Sequence, residues 1–239
     1  MHDVADAVAA ALAEVRDLGP SGLRDGQYAL DLTADAAALA VLARADVGVL
    51  SEESGLALVP GRPTIVLDPV DGSTNRSRGV PWYATSMCLV DGDGPAVALV
   101  VNQASGERWS AVRGGGAWRD GARVAPSGRV ELAGAVVGIS APPPPSPGWW
   151  QFRALGASAL DLCLVAAGVL DGFVDCGVEQ HGPWDYLGAM LLCQEAGAVI
   201  ADAAGRDLVV VEHAARRTPV AAATPALHAA LMGVRSRLP

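Results

Sequence analysis

The chain has 239 residues, an apolar content of 51%, few aromatics and a formal charge of -9 at neutral pH. That length supports a real core, and the absence of any basic run excludes a nucleic-acid surface. No apolar run reaches membrane-spanning length without a charge or a turn breaker. The acidic start, with Asp3 and Asp6, is no signal peptide, and Cys88, Cys163, Cys176 and Cys193 are too dispersed for a zinc site or disulfide framework, so buried thiols and a cytoplasmic setting are expected.

The spacing of Val4, Val8, Ala11, Leu12 and Val15 predicts an amphipathic helix over 3–18, ended by Gly19-Pro20-Ser21-Gly22. Residues 21–29 are polar and read as a loop suited to an active-site flap. A second helix is expected from about Ala34 to Ala45, capped by Thr33. Asp35 in its first turn either complements the helix dipole or orients a hydroxyl from the stretch around Asp68. Val47–Leu50 reads as a strand delivering Ser51-Glu52-Glu53-Ser54. Neighbouring side chains at a strand end point opposite ways, so Glu52 is assigned to a shared site and Glu53 to solvent or a supporting position.

Pro63-Thr64-Ile65-Val66 is a β-branched run of the buried-strand type, and it leads into Leu67-Asp68-Pro69-Val70-Asp71-Gly72-Ser73-Thr74-Asn75. A turn containing Pro69 and Gly72 is expected to fix Asp68 and Asp71 together. Two carboxylates about 4 Å apart repel by ~4 kcal/mol at an effective dielectric of 20. Such a pair needs a cation. Ser73, Thr74 and Asn75 are helix N-cap types, so backbone amides and a positive helix end face the same place. Hard cations beside an anion-binding helix start point to phosphate chemistry, and bound metal supplies the positive charge an acidic protein lacks. A structural calcium site would also use clustered carboxylates.

Tyr83–Val90, Ala96–Asn102 and Glu107–Arg113 read as strands of an antiparallel meander, extended by a hairpin at Asp120-Gly121. The run Gly114-Gly115-Gly116 lacks the Lys-Ser/Thr ending of a phosphate loop. After the strand Ala135–Ser140 and the proline-rich loop Pro142–Pro147, the pattern turns to α/β. A buried helix Ala159–Leu170, a strand into Asp175, a helix from Pro183 to Ala196, short strands at Val199–Ala201, Leu208–Val211 and Val220–Ala223, and a helix Pro225–Val234 are expected. Asp185 either complements its helix dipole or joins the acidic site. His181 reads as a loop histidine, since hard all-oxygen sites do not select imidazole.

Leu-Thr-Ala-Asp35, Glu52-Glu53-Ser54, Asp68-Pro-Val-Asp-Gly-Ser-Thr-Asn75, Arg153-x-x-Gly156-Ala-Ser-Ala159 and Trp184-Asp185 followed by Glu195-Ala-Gly occur together and in order. From about residue 28 to 212 the chain resembles the inositol monophosphatase family, Mg²⁺-dependent, lithium-sensitive phosphomonoesterases. The resemblance implies a layered α-β-α-β-α sandwich, α+β in its first part (1–130) and α/β in its second (131–239), often dimeric, with the site between the parts. It makes Glu52, Asp68, Asp71 and Asp185 metal ligands with the Val70 carbonyl. It gives Ser73, standing where the family usually has Thr, and Asp35 the deprotonation of the attacking water, with Glu52 counted in the catalytic set. Gly72, Ser73 and Thr74 would hold phosphate, and Ala157, Asp175 and Asp185 would contact the rest of the substrate.

Four carboxylates and two Mg²⁺ cancel, so a dianionic phosphate calls for helix ends or a third Mg²⁺. Arg76, Ser51 and a longer Asp175–Asp185 connection, with Glu179–Pro183 inserted, depart from the family and are expected at the rim where the alcohol rests. The resulting expectation is a cytoplasmic, dimeric phosphomonoesterase with two or three Mg²⁺, acting on a polyol or sugar phosphate, foremost inositol 1-phosphate. Histidinol phosphate, a 3'-phosphoadenosine nucleotide, fructose 1,6-bisphosphate and NADP are alternative substrates. A metal-dependent regulatory binding protein is the non-enzymatic alternative.

Overall fold

The computed structural model describes residues 1–238. Helices α1 (His2–Glu14) and α2 (Ala29–Leu42) precede an eight-stranded sheet made of β1 (Gly48–Ser51), β2 (Gly55–Ala57), β3 (Thr64–Asp71), β4 (Ala84–Asp91), β5 (Gly94–Asn102), β6 (Arg108–Val112), β7 (Gly116–Arg119) and β8 (Ala122–Arg123). The short helix α3 (Ser73–Arg78) lies between β3 and β4. Strands β9 (Val136–Ser140), β10 (Gln151–Arg153), β11 (Gly172–Asp175), β12 (Val199–Asp202) and β13 (Pro219–Ala222) form a second sheet in the order β10-β9-β11-β13-β12. Helices α4 (Ser158–Ala166), α5 (Pro183–Ala196) and α6 (Pro225–Arg235) complete the chain.

Period-two alternation explains the layering. Along β3, Ile65 and Leu67 pack with Val4, Val8, Leu30 and Ala34 of α1 and α2, whereas Val66 turns to the opposite face with residues of α4 and α5. Those two helices read apolar nearly all round because both sheets cover them: Leu160, Leu162, Leu187 and Leu191 share one cluster with Val100 of the first sheet and Phe173 and Ala221 of the second. Helix α6 caps the far side through Leu227, Leu231 and Val234 against Val137, Val174 and Val220. The result is the expected α-β-α-β-α sandwich.

Several local expectations are corrected. Helix α2 starts at Ala29, so Thr33 is interior; Tyr28 is the N-cap residue, and its amide donates to Asp31 Oδ2 at 2.8 Å. Strand β3 continues through Asp71, with a bulge between Asp68 and Asp71 in place of a turn. Pro69, which has no N–H to give the ladder, sits within this irregular step. Leu208–Val211 is not a strand: Tyr186 takes the Leu208 carbonyl and Arg217 that of Asp207, so no neighbouring strand is engaged. Helix α4 ends at Ala166, with turns completing the run to Leu170. All four cysteines are free and buried, and no helix among the described residues is long and apolar enough to cross a membrane.

Candidate active site

The bulge in β3 aims two carboxylates at one place. Asp68 and Asp71 are 1% and 7% exposed, and with Asp185 of α5 each offers an oxygen within 4.8 Å of the others. One oxygen of each is held by a backbone amide: Asp68 by Val70 at 2.9 Å, Asp71 by Ala159 at 2.7 Å, and Asp185 by Gly182 at 2.6 Å. None of the three is in a salt bridge among the described residues, and the Asp68 and Asp185 carboxylates face each other at hydrogen-bonding range. Burial, then mutual repulsion, holds Asp68 and Asp71 well above the usual carboxylate range, and burial likewise raises Asp185. A fixed, largely buried, oxygen-only donor set without a salt-bridge partner fits a hard divalent cation.

Glu52 stands beside them in the β1–β2 turn. Burial, followed by the charges of Asp185 and Glu53, pushes it up to about 9. Its backbone carbonyl accepts from Arg24 at 3.1 Å and is contacted by His213 Nε2 at 2.8 Å. Glu53 is the supporting partner: its side chain is 3% exposed and takes hydrogen bonds from Arg24 and Gln27 of the 21–28 loop. Glu52, Asp71 and Asp185 line a cavity of about 320 Å³ with Ser140, Asp161 and His181. A cleft of about 630 Å³ beside α6 is larger but has no such cluster.

After Asp71 the chain turns through Gly72 at φ 85°, where a Cβ would stand 3.0 Å from the Trp82 carbonyl and 3.1 Å from Ala157 Cβ. Only glycine brings the start of α3 so close to the α4 loop. Asn75 completes the seam, its Nδ2 donating to Trp82 and Leu155 carbonyls at 2.7 Å each.

A model described as the Inositol monophosphatase family matches residues 14–238. The chain belongs to the inositol monophosphatase family. It is 35% identical over 186 residues to the inositol-1-monophosphatase of Mesorhizobium japonicum, covering 70% of this chain and 68% of that protein. It is 30% identical over 219 residues to the fructose-1,6-bisphosphatase of Pyrococcus furiosus, covering 86% and 80%. The extragenic suppressor protein suhB from Bartonella henselae superposes with a TM-score of 0.84 at 26% identity, over 99% of this chain and 97% of that one. Across the curated relatives the matched stretch spans from 59% to 80% of the relative's own length. By this membership the chain is a phosphoric monoester hydrolase of a metal-dependent family.

Within the inositol monophosphatase frame, the structure brings Glu52, Asp68, Asp71 and Asp185 together and sets Val70 in the bulge between the two aspartates. Ala157 lines the cavity, and Thr74 Oγ1 lies 3.2 Å from the Tyr28 hydroxyl. Asp35 differs from expectation: it is 6% exposed and its carboxylate accepts a 2.5 Å hydrogen bond from Ser51, not from Ser73. Asp31, one helical turn earlier, is the acid nearer to Ser73 in the electrostatics of the site. Asp31 lies beside Ser73, burial raises its carboxyl to about 7, and its Oδ1 is buried without a partner.

Asp175 is a second correction. It has no exposed surface and is held by Ser140, Gly177 and His181, so it does not reach the cavity. His181, expected in an open loop, is 8% exposed and lines the site. Of the departures placed at the rim, Ser51 is buried in β1, and Arg76 ties α3 to the Leu12 carbonyl of α1 at 3.1 Å. Only the inserted segment, through Gln180 and His181, borders the cavity. The missed Asp31 had one sequence signal, an acid three residues after an N-cap, hidden because Tyr28 is no ordinary capping residue.

Proposed function

We propose that the chain is a Mg²⁺-dependent phosphomonoesterase acting in the cytoplasm on a polyol or sugar monophosphate, with inositol 1-phosphate the foremost substrate. The observation that carries this reading is the convergence of Asp68, Asp71 and Asp185 beside Glu52. These residues would hold two or three Mg²⁺, which supply Lewis-acid stabilisation of the phosphoryl oxygens and a water of lowered pKa.

The chain's own groups do the rest. Asp31, with an unpaired oxygen and Ser73 beside it, would accept the proton that the attacking water gives up through Ser73. Burial keeps Asp31 near neutrality, so it gains and loses that proton readily. Gly72, Ser73 and Thr74, at the start of α3, would orient the phosphate through their amides. Asp71, held by the Ala159 amide, keeps its free oxygen aimed at the site.

A cavity of about 320 Å³ is at the small end of ligand sites, ~300–1,000 Å³, which favours a six-carbon alcohol over a nucleotide. The similarity to a fructose-1,6-bisphosphatase supports a second substrate of the same size class. Phosphate release from inositol 1-phosphate, fructose 1,6-bisphosphate, histidinol phosphate, NADP and a 3'-phosphoadenosine nucleotide, with and without Mg²⁺, tests the reading. Mg²⁺-dependent turnover of the first two is expected. Turnover of the nucleotide alone would overturn the substrate class, and no turnover of any ester would overturn the enzyme.

A further inference from the structure

The connection from β11 to α5 carries a pair of residues that the acidic cluster does not use. Asp175 is fully buried: Oδ1 accepts from Ser140 Oγ at 2.6 Å and from the Gly177 amide at 2.8 Å, and Oδ2 lies 2.8 Å from His181 Nδ1. A carboxylate held this way has one remaining function, which is to fix its partner. It keeps a proton on Nδ1 and sets the plane of the imidazole. Phe173 meets the ring edge-on at 6.4 Å between centroids and closes another side.

The opposite nitrogen is different. No protein group among the described residues hydrogen-bonds to His181 Nε2, yet it is not among the buried polar atoms lacking a partner. The small surface the ring retains therefore opens onto the cavity wall it forms with Asp71 and Asp185. A ring so firmly oriented, with one unused nitrogen turned into a substrate-sized space, is built to meet a ligand atom.

We propose that His181 is a substrate-reading residue whose Nε2 hydrogen-bonds a hydroxyl of the leaving-group alcohol, with Asp175 as its positioning residue. This rests on the phosphomonoesterase reading above. A hydroxyl is the group that fits, because it both donates and accepts and so satisfies Nε2 in either protonation state of the ring. A second anionic group is disfavoured on a wall that also carries Asp71, Asp161, Asp185 and Glu52. The preferred substrate is thus a monophosphate whose alcohol carries a hydroxyl near the ester oxygen.

The test compares a polyol monophosphate, inositol 1-phosphate, with p-nitrophenyl phosphate, whose leaving group has no other hydroxyl. Both are assayed with Mg²⁺ for the unsubstituted chain and for His181→Leu, His181→Asn and Asp175→Asn. In His181→Leu and His181→Asn the ratio of kcat/KM for the polyol ester to that for the aryl ester falls at least tenfold, chiefly through KM. Asp175→Asn lowers it in the same direction by a smaller factor. Turnover of the aryl ester reports that each variant is folded, and His181→Asn, which keeps a polar group in the wall, serves if His181→Leu does not fold. A ratio unchanged within threefold, or equal losses on both esters, would overturn the assignment while leaving the enzyme intact. An unsubstituted chain that hydrolyses neither ester would overturn the phosphomonoesterase reading and this assignment with it.

Discussion

The backbone amide of Ala159, at the start of α4, donates a 2.7 Å hydrogen bond to Oδ2 of Asp71, 88 residues earlier in the chain. An acid on the first sheet is thus aimed by a helix that belongs to the layer between the sheets. Asp71→Asn can still accept this bond through its amide oxygen, but it removes a charge from the cluster. Since one pair of unit charges at 4 Å is worth ~4 kcal/mol at a dielectric of 20, turnover should fall at least about a hundredfold. Removing the repulsion should raise the melting temperature of the metal-free protein. Phosphate release and thermal unfolding in EDTA check the two effects, and a metal-free protein destabilised by the substitution would contradict the repulsion.

The metal-free fold should lose stability as pH rises. Glu52 titrates at about 9 in the folded chain against 4.5 for an ordinary glutamate, and burial holds Asp31 at about 7. The folded state therefore binds more protons than the unfolded state across that window, so unfolding free energy decreases from about pH 4.5 to about pH 9. Melting curves in EDTA at several pH values should follow this slope. A metal-free melting temperature that rises between pH 5 and 8 would contradict it.

Divalent cation should reverse the penalty. Mg²⁺ at 100 times its dissociation constant adds ~2.7 kcal/mol to the unfolding free energy, or roughly 5–10 °C in melting temperature for a chain of this size. The gain should be smaller in Asp68→Asn and Asp185→Asn. Calorimetry with and without Mg²⁺ measures it, and an equal gain in those variants would place the cation elsewhere.

Asp31 and Asp35 separate the roles that one helix could confuse. Asp31→Asn should lower kcat by ~10²–10⁴ with the fold retained, as expected for loss of a general base. Asp35→Ala leaves the buried Ser51 hydroxyl without its acceptor, at a cost of ~1–3 kcal/mol, and should affect melting more than kcat. Paired kinetics and denaturation of the two variants decide it; the opposite pattern would return the catalytic role to Asp35.

How far the sequence was legible follows from these residues. Asp68 and Asp71 were readable because turn-type residues and a β-branched run surround them, and the burial of α4 because its residues are apolar nearly all round, whereas the five-layer order came from the family resemblance. The bulge was not readable, since Pro69 signals a turn as strongly as it signals an interrupted ladder. Asp31 and Asp35 lie one helical turn apart, and only the start of α2 decides which faces Ser73; Tyr28 gives no hint of that start. Leu208–Val211 has strand-like residues but no strand beside it, a fact of tertiary pairing. The partners of His181 and Asp175 depend on the path of an inserted segment, which local pattern does not encode.

Gly72→Ala should cost ~1–3 kcal/mol, because φ 85° disfavours a side chain and the added Cβ would stand 3.0 Å from the Trp82 carbonyl. Activity should fall further than stability, as the same residue sets the start of α3 against Ala157. Denaturant midpoints and kcat/KM of the variant check this, and a fully active Gly72→Ala would contradict the close approach.

The acidic cluster joins a strand of one sheet to a helix packed against both, while residues 124–134, between β8 and β9, are largely exposed. A cation held there would tie β3 of the first sheet to α5 of the layer between the sheets, so its departure should loosen their mutual docking before either sheet melts. Cleavage of that exposed connection by a protease should therefore rise as cation is withdrawn, a gauge of occupancy that requires no substrate at all.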